Sequence, residues 1–140
     1  MVASTSYRLS ADLKRLLAER AAGEQITETA LVTRLLEEGL KTSAHPGIVY
    51  RGGPTGRRAA LAAGPDVSEV VTSVRHAPGR GDAKIRDAAK QLGLPEEHVR
   101  LAVDFAAAYP REIADRIALN DAAGERAREL AEQRARLLAS

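Results

Sequence analysis

The chain has 140 residues, room for one ordinary domain or two very small ones, and carries 21 basic against 19 acidic side chains. Hydrophobic residues make up 44%, but much of that share is alanine, and Tyr7, Tyr50, Phe105 and Tyr109 are the only aromatics; because stabilisation scales with buried apolar area, helices and a core shared between copies are expected. With no cysteine, no metal-ligand spacing among His45, His76 and His98, no apolar run near the ~20 residues of a membrane span and no signal-peptide core, the composition points to a cytoplasmic protein without metal, cofactor or membrane contact.

In chain order, Thr5, Tyr7 and Leu9 alternate with Ser4, Ser6 and Arg8, which predicts a short strand. Ser10 then reads as an N-cap, with Asp12 in the first turn, where the helix dipole favours an anion. Leu13, Leu16, Leu17 and Ala21 follow at helical spacing, and Gly23 reads as the stop. Thr27 caps a second predicted helix whose apolar positions are Ala30, Leu31, Leu35 and Leu40. One strand and two short helices cannot close a core in a single copy. Two copies can, by pairing their strands antiparallel and interleaving four helices.

His45-Pro46-Gly47 marks a boundary, with 1–43 on one side and 44–140 on the other. Beyond it, Ile48-Val49-Tyr50 and Arg57 to Leu61 read as short extended pieces joined by a glycine-rich turn, which is not a phosphate loop because no Gly-Lys-Ser/Thr follows. Asp66 is expected to cap a helix through Arg75 bearing Val67, Val70, Val71 and Val74. Residues 76–81, with Pro78-Gly79-Arg80-Gly81, read as an exposed loop. Asp82 is expected to cap a helix to Leu92, stopped by Gly93, and Pro95 to stand in the first turn of one reaching Tyr109. Pro110 marks a break or bend, after which a charged, alanine-rich helix runs toward Leu138. In it Leu119, Leu130 and Leu137 are too sparse for a heptad zipper, and Glu132 and Arg136 stand at i, i+4.

Charge is uneven. Residues 1–43 are balanced, the stretch 44–86 is basic through Arg51, Arg57, Arg58, Arg75, Arg80, Lys84 and Arg86, and the remainder is slightly acidic.

Residues 4–41, from Ser-Thr-Ser-Tyr-Arg-Leu-Ser-Ala-Asp-Leu to Thr-Arg-Leu-Leu-Glu-Glu-Gly-Leu-Lys, resemble the ribbon-helix-helix DNA-binding domains of the Arc/MetJ/CopG type. The resemblance implies that a two-stranded ribbon enters the major groove. Alternation would turn Tyr7 and Leu9 toward the helices and Ser4, Ser6 and Arg8 toward base edges, Arg8 donating to guanine O6 and N7. It also implies a phosphate clamp from backbone N–H groups near Thr27, Glu28 and Thr29, as the unpaired first-turn amides of a helix allow. Glu28 is a departure, since its carboxylate stands where a phosphate would sit. Residues 45–120 resemble a domain-of-unknown-function family (the one numbered four hundred and thirty-three) found near toxin–antitoxin loci, through Pro46-Gly47-Ile48, Gly52-Gly53-Pro54-Thr55-Gly56-Arg57-Arg58, Val99 to Phe105 and Glu112-Ile113. That likeness implies a toxin-binding or accessory DNA-associated role without catalytic residues.

The expected fold is therefore mainly α: an N-terminal ribbon-helix-helix (β-α-α, intertwined dimer) over 1–43, then a small helical domain over 44–140 with a short β-hairpin and helix-turn-helix-like spacing around Gly93. The latter reads as a packed hairpin, because Glu96 and Glu97 open its second helix. Arg57 and Arg58 are candidates for accessory DNA-backbone contact. No Ser/His/Asp set or paired carboxylates suggest an enzyme. The function expected is a sequence-specific transcriptional repressor, homodimeric and able to assemble further on operator DNA. It would also be the antitoxin of a type II toxin–antitoxin pair, binding a toxin through its C-terminal region. The alternative is a stand-alone regulator whose C-terminal domain oligomerises or senses a ligand.

Overall fold

The structure, a computed structural model describing residues 2–140, begins with a helix and not with a strand. Residues 2–9 have no regular secondary structure and are exposed throughout, and Tyr7, expected to face the helices, is 80% exposed. This corrects the ribbon-helix-helix start. The alternation Thr5-Tyr7-Leu9 satisfies the period of a strand, but a strand also needs a neighbour to accept its N–H groups, and this segment pairs with none in its own chain.

The chain divides into two units, one running to Ala44 and the other comprising His45–Ser140. The first is a helical hairpin, α1 (Ala11–Glu24) and α2 (Glu28–Ala44). Ser10 caps α1 as expected, its Oγ accepting from the Leu13 N–H at 3.2 Å. Gly23 does not stop the helix. The chain turns at Gln25, in the left-handed region (φ 58°, ψ 40°), where the Gln25 and Ile26 amides reach back to the carbonyls of the last turn. Glu24 and Arg34 then tie the hairpin with a forked pair of bonds at 2.9 and 3.0 Å. Only Ala21 and Leu31 are buried in the two helices.

The second unit opens with an antiparallel hairpin, β1 (Ile48–Arg51) and β2 (Arg58–Leu61), paired Ile48 to Leu61 and Arg51 to Arg58. Four helices follow: α3 (Val67–His76), α4 (Asp82–Leu92), α5 (Glu96–Ala108) and α6 (Pro110–Ala139). The core gathers Ile48, Leu61, Val67, Val70, Val99 and Ile113 around a fully buried Phe105, and His45 and Tyr109 meet that ring at 5.3 and 4.9 Å between centroids. Alanines 59, 88, 89 and 102 let the hairpin and helices approach closely.

Long-range ion pairs decide where several local signals fail. Asp66 occupies the N-cap position of α3 but makes no cap bond, because its carboxylate is paired with Arg58. Asp82 is the first residue of α4 and not its cap; it accepts from Arg100 at 3.2 Å, and Gly81 precedes the helix instead. Pro95 stands at the N-cap of α5, one position ahead of the helix. Gly93 does close α4 in the left-handed region (φ 66°), and Pro110 starts α6 where a proline needs no N–H.

Candidate nucleic-acid interface

Ser4, Ser6 and Arg8 all lie on the exposed segment ahead of α1. Thr27 Oγ1 accepts from the Ala30 N–H at 3.0 Å, which consumes one of the first-turn donors of α2. The amides of Glu28 and Thr29 have no acceptor within the helix, as at any helix start. Beside them is a shallow hollow of about 290 Å³, bordered by Leu9, Lys14, Leu17, Glu28, Thr29 and Val32. The fold therefore brings Leu9, at the end of the N-terminal segment, to the start of α2. It also brings Lys14 of α1 to the border of the same hollow as Glu28. Lys14 carries no signal of its own in the sequence; its role depends on how α1 lies against α2.

Arg57 and Arg58 belong to the second unit. Arg57 is exposed, and its carbonyl accepts from the Arg116 guanidinium at 3.0 Å. Arg58 is ion-paired with Asp66, their side chains 28% and 13% exposed, so its charge is largely met inside the unit. Arg51 is similarly occupied, donating to the carbonyls of Leu61, Ala62 and Gly64 at 2.8–2.9 Å. Lys84 closes the end of α3 on the carbonyls of Val74, Arg75 and Ala77. The first turn of α5 carries Glu96 and Glu97, exposed carboxylates that repel phosphate.

The N-terminal hairpin also has an open apolar side. Leu13, Leu16, Leu17, Leu31 and Leu35 line a hollow of about 470 Å³ between α1 and α2, and Leu36 and Leu40 are more than half exposed. Leucines exposed together on one small unit are a candidate interaction surface.

A second, polar cleft of about 660 Å³ lies in the C-terminal unit, among α3, α4 and α6. Ser68, 2% exposed, is its innermost polar side chain, and Asn120 Nδ2 donates to its Oγ at 3.4 Å. Thr72, His76, Gln91 and Glu69 border the opening. Among the described residues no group of three or more His, Asp or Glu side chains is placed to hold a metal ion, and no helix is long and apolar enough to cross a membrane.

No family model, no curated protein and no solved structure matches the chain.

Proposed function

We propose that this chain is a homodimeric, sequence-specific DNA-binding repressor of the cytoplasm, and the antitoxin of a type II toxin–antitoxin pair that regulates its own operon. The observation that supports the reading is the half-built apolar core of α1 and α2, whose exposed leucines a second copy would cover. A two-fold dimer doubles every feature of the N-terminal unit. It presents two segments bearing Ser4, Ser6 and Arg8 and two α2 starts, each with Lys14 alongside. Arg8 donates to guanine, the Glu28 and Thr29 amides and Lys14 hold a phosphate, and two-fold symmetry in the protein calls for a near-palindromic operator. The antitoxin half is an expectation from the sequence of residues 45–120.

The test is titration of the DNA upstream of the chain's own gene, followed against salt. Replacing Arg8 with alanine is expected to weaken specific binding by roughly 5- to 150-fold, the equivalent of about 1–3 kcal/mol for one bidentate base contact. Binding to unrelated DNA should change much less. A variant that retains both affinity and sequence preference removes Arg8 from the interface. For the antitoxin half, the chain must neutralise a growth-arresting partner on co-expression.

The polar cleft around Ser68 favours a second reading of the C-terminal unit, as the sensor of a small polar ligand in a stand-alone regulator. In that case operator affinity responds to the ligand, and no toxin is rescued.

A further inference from the structure

The distal part of α6 is a helix in search of a surface. The helix is 30 residues long, and every residue from Ala118 to Ala139 is exposed except the half-buried Ala123. Asn120 and Asp121 are the last residues to border the C-terminal unit's cleft. Without packing, this stretch is held only by its own propensity and pairs along the helix, and Gly124 weakens it.

Its carboxylates keep to one side, while its arginines are divided: Arg128 and Arg136 share the carboxylates' side, each about 120° or more from Leu130. At 3.6 residues per turn, Ala123, Ala127, Leu130 and Leu137 fall within about 60° of one line along the helix. Leu130 is 60% and Leu137 77% exposed. Arg126 and Arg134 flank that line on its two sides, each about 40° from Leu130. Asp121, Glu125, Glu129 and Glu132 all lie about 100° or more away, around the back. The apolar stripe is thus bordered by guanidinium groups, and the carboxylates are kept off it.

We infer that this face docks into an apolar groove rimmed by carboxylates on a different protein, with Leu130 and Leu137 as the anchors and Arg126 and Arg134 paired across the rim. The inference deepens the antitoxin reading, on which it rests for the existence of such a partner, by naming the chemistry of the partner's surface. A second copy of the chain is the wrong occupant. Antiparallel pairing about Leu130 sets Arg126 against Arg134, and parallel pairing sets each arginine against itself, so either arrangement opposes like charges across a thin seam. DNA is disfavoured because leucines lead the face and residues 121–140 carry as many acidic as basic groups. An anionic membrane is disfavoured because the stripe has no aromatic residue and few leucines.

The experiment places a photo-crosslinking amino acid at Leu130 in the full chain, expressed in its own cell. The captured protein is identified and purified, and its affinity is measured for three chains: wild type, Arg126→Glu/Arg134→Glu, and Glu125→Gln/Glu132→Gln on the opposite face. Circular dichroism checks that α6 stays helical in each. The expected result is a loss of about tenfold or more for the arginine reversals, steeper at low salt, and little change for the opposite face. Carboxylate-to-lysine changes on the partner's groove should restore binding to the reversed chain. The inference is overturned by capture of nothing, or of a second copy alone. It is equally overturned by a partner that binds the reversed chain as tightly as wild type, or by binding of anionic vesicles or DNA that depends on these two arginines. A captured partner that passes these tests but does not arrest growth when expressed alone overturns the antitoxin reading and leaves the docking face standing.

Discussion

If α1 and α2 form half of a shared core, one leucine on their open side should control the oligomeric state. Leu16 is the natural choice: it lines the hollow between the two helices with Leu13, Leu31 and Leu35, and it is 56% exposed in the single chain. Full burial of a leucine is worth about 1.5–3 kcal/mol, so covering the open half of Leu16 contributes about 1–1.5 kcal/mol per copy. A two-fold interface counts that twice, about 2–3 kcal/mol per dimer. Leu16→Gln keeps helix propensity nearly constant and removes the apolar contact, so the dimer Kd should rise roughly 30- to 150-fold. Sedimentation over a concentration series measures this directly, with Leu138→Gln at the far end of α6 as the control that should not shift it. A wild-type chain that stays monomeric at high micromolar concentration, or a Leu16→Gln dimer as tight as the parent, would refute the shared core and with it the proposed repressor.

Three further outcomes check the fold that carries the sites. Gly47 has φ +98°, and a Cβ there would stand 2.5 Å from Leu101 Cδ2, so Gly47→Ala should cost about 1–3 kcal/mol in denaturant unfolding; a change under about 0.5 kcal/mol would mean the turn relaxes without loss. Gln25→Gly should raise stability by up to about 1 kcal/mol, because it removes the left-handed strain of a side-chain residue at the end of α1; a destabilised variant would show that the Gln25 side chain has a role the turn does not explain. The hydrogen bond from Arg100, reinforced by its charge, holds the Asp82 carboxyl below its ordinary value of 3.8. A depressed folded-state value contributes stability above the unfolded one, and that contribution is lost as pH falls from about 4 through the lower folded value. Asp82→Asn should therefore flatten the acid limb of the stability profile in that window and leave its shape near neutral pH unchanged, which thermal melts across pH will show; an acid limb as steep as the parent's assigns the loss to other carboxylates.

Signals that act within a few residues were legible in the sequence. Ser10 caps α1, Gly93 turns the chain after α4 and Pro110 starts α6, each because its backbone preference or side-chain reach is local. The valine face of α3 and the hairpin around 48–61 were legible for the same reason, since periodicity and turn glycines are written in adjacent positions. What depends on a distant partner was not. Residues 5–9 have the alternation of a strand and no strand beside them. Asp66 and Asp82 look like caps until Arg58 and Arg100 draw their carboxylates away. The hollow shared by Lys14 and Glu28, and the cleft over Ser68, exist only once helices from separate stretches have met.

The distribution of cations carries this distinction into the proposed function. By sequence, the basic middle of the chain looks like a surface for phosphates. Yet Arg51 and Lys84 each donate to three backbone carbonyls, and Arg58 sits against Asp66. A core built largely from alanine and valine leaves many turn and helix-end carbonyls close to the surface, and long cationic side chains satisfy them there. Those charges serve the fold before any ligand. On the proposed reading, phosphate neutralisation would fall to Arg8 and Lys14 of each copy and to the exposed arginines of the middle, Arg75, Arg80 and Arg86. Since the salt slope of binding counts neutralised phosphates, a shallow slope would leave the work to Arg8 and Lys14, and a steep one would bring the middle arginines onto the duplex. On the proposed reading dimerisation is the step on which DNA recognition depends, because it would set two Arg8 segments side by side and cover the exposed leucines of α1 and α2.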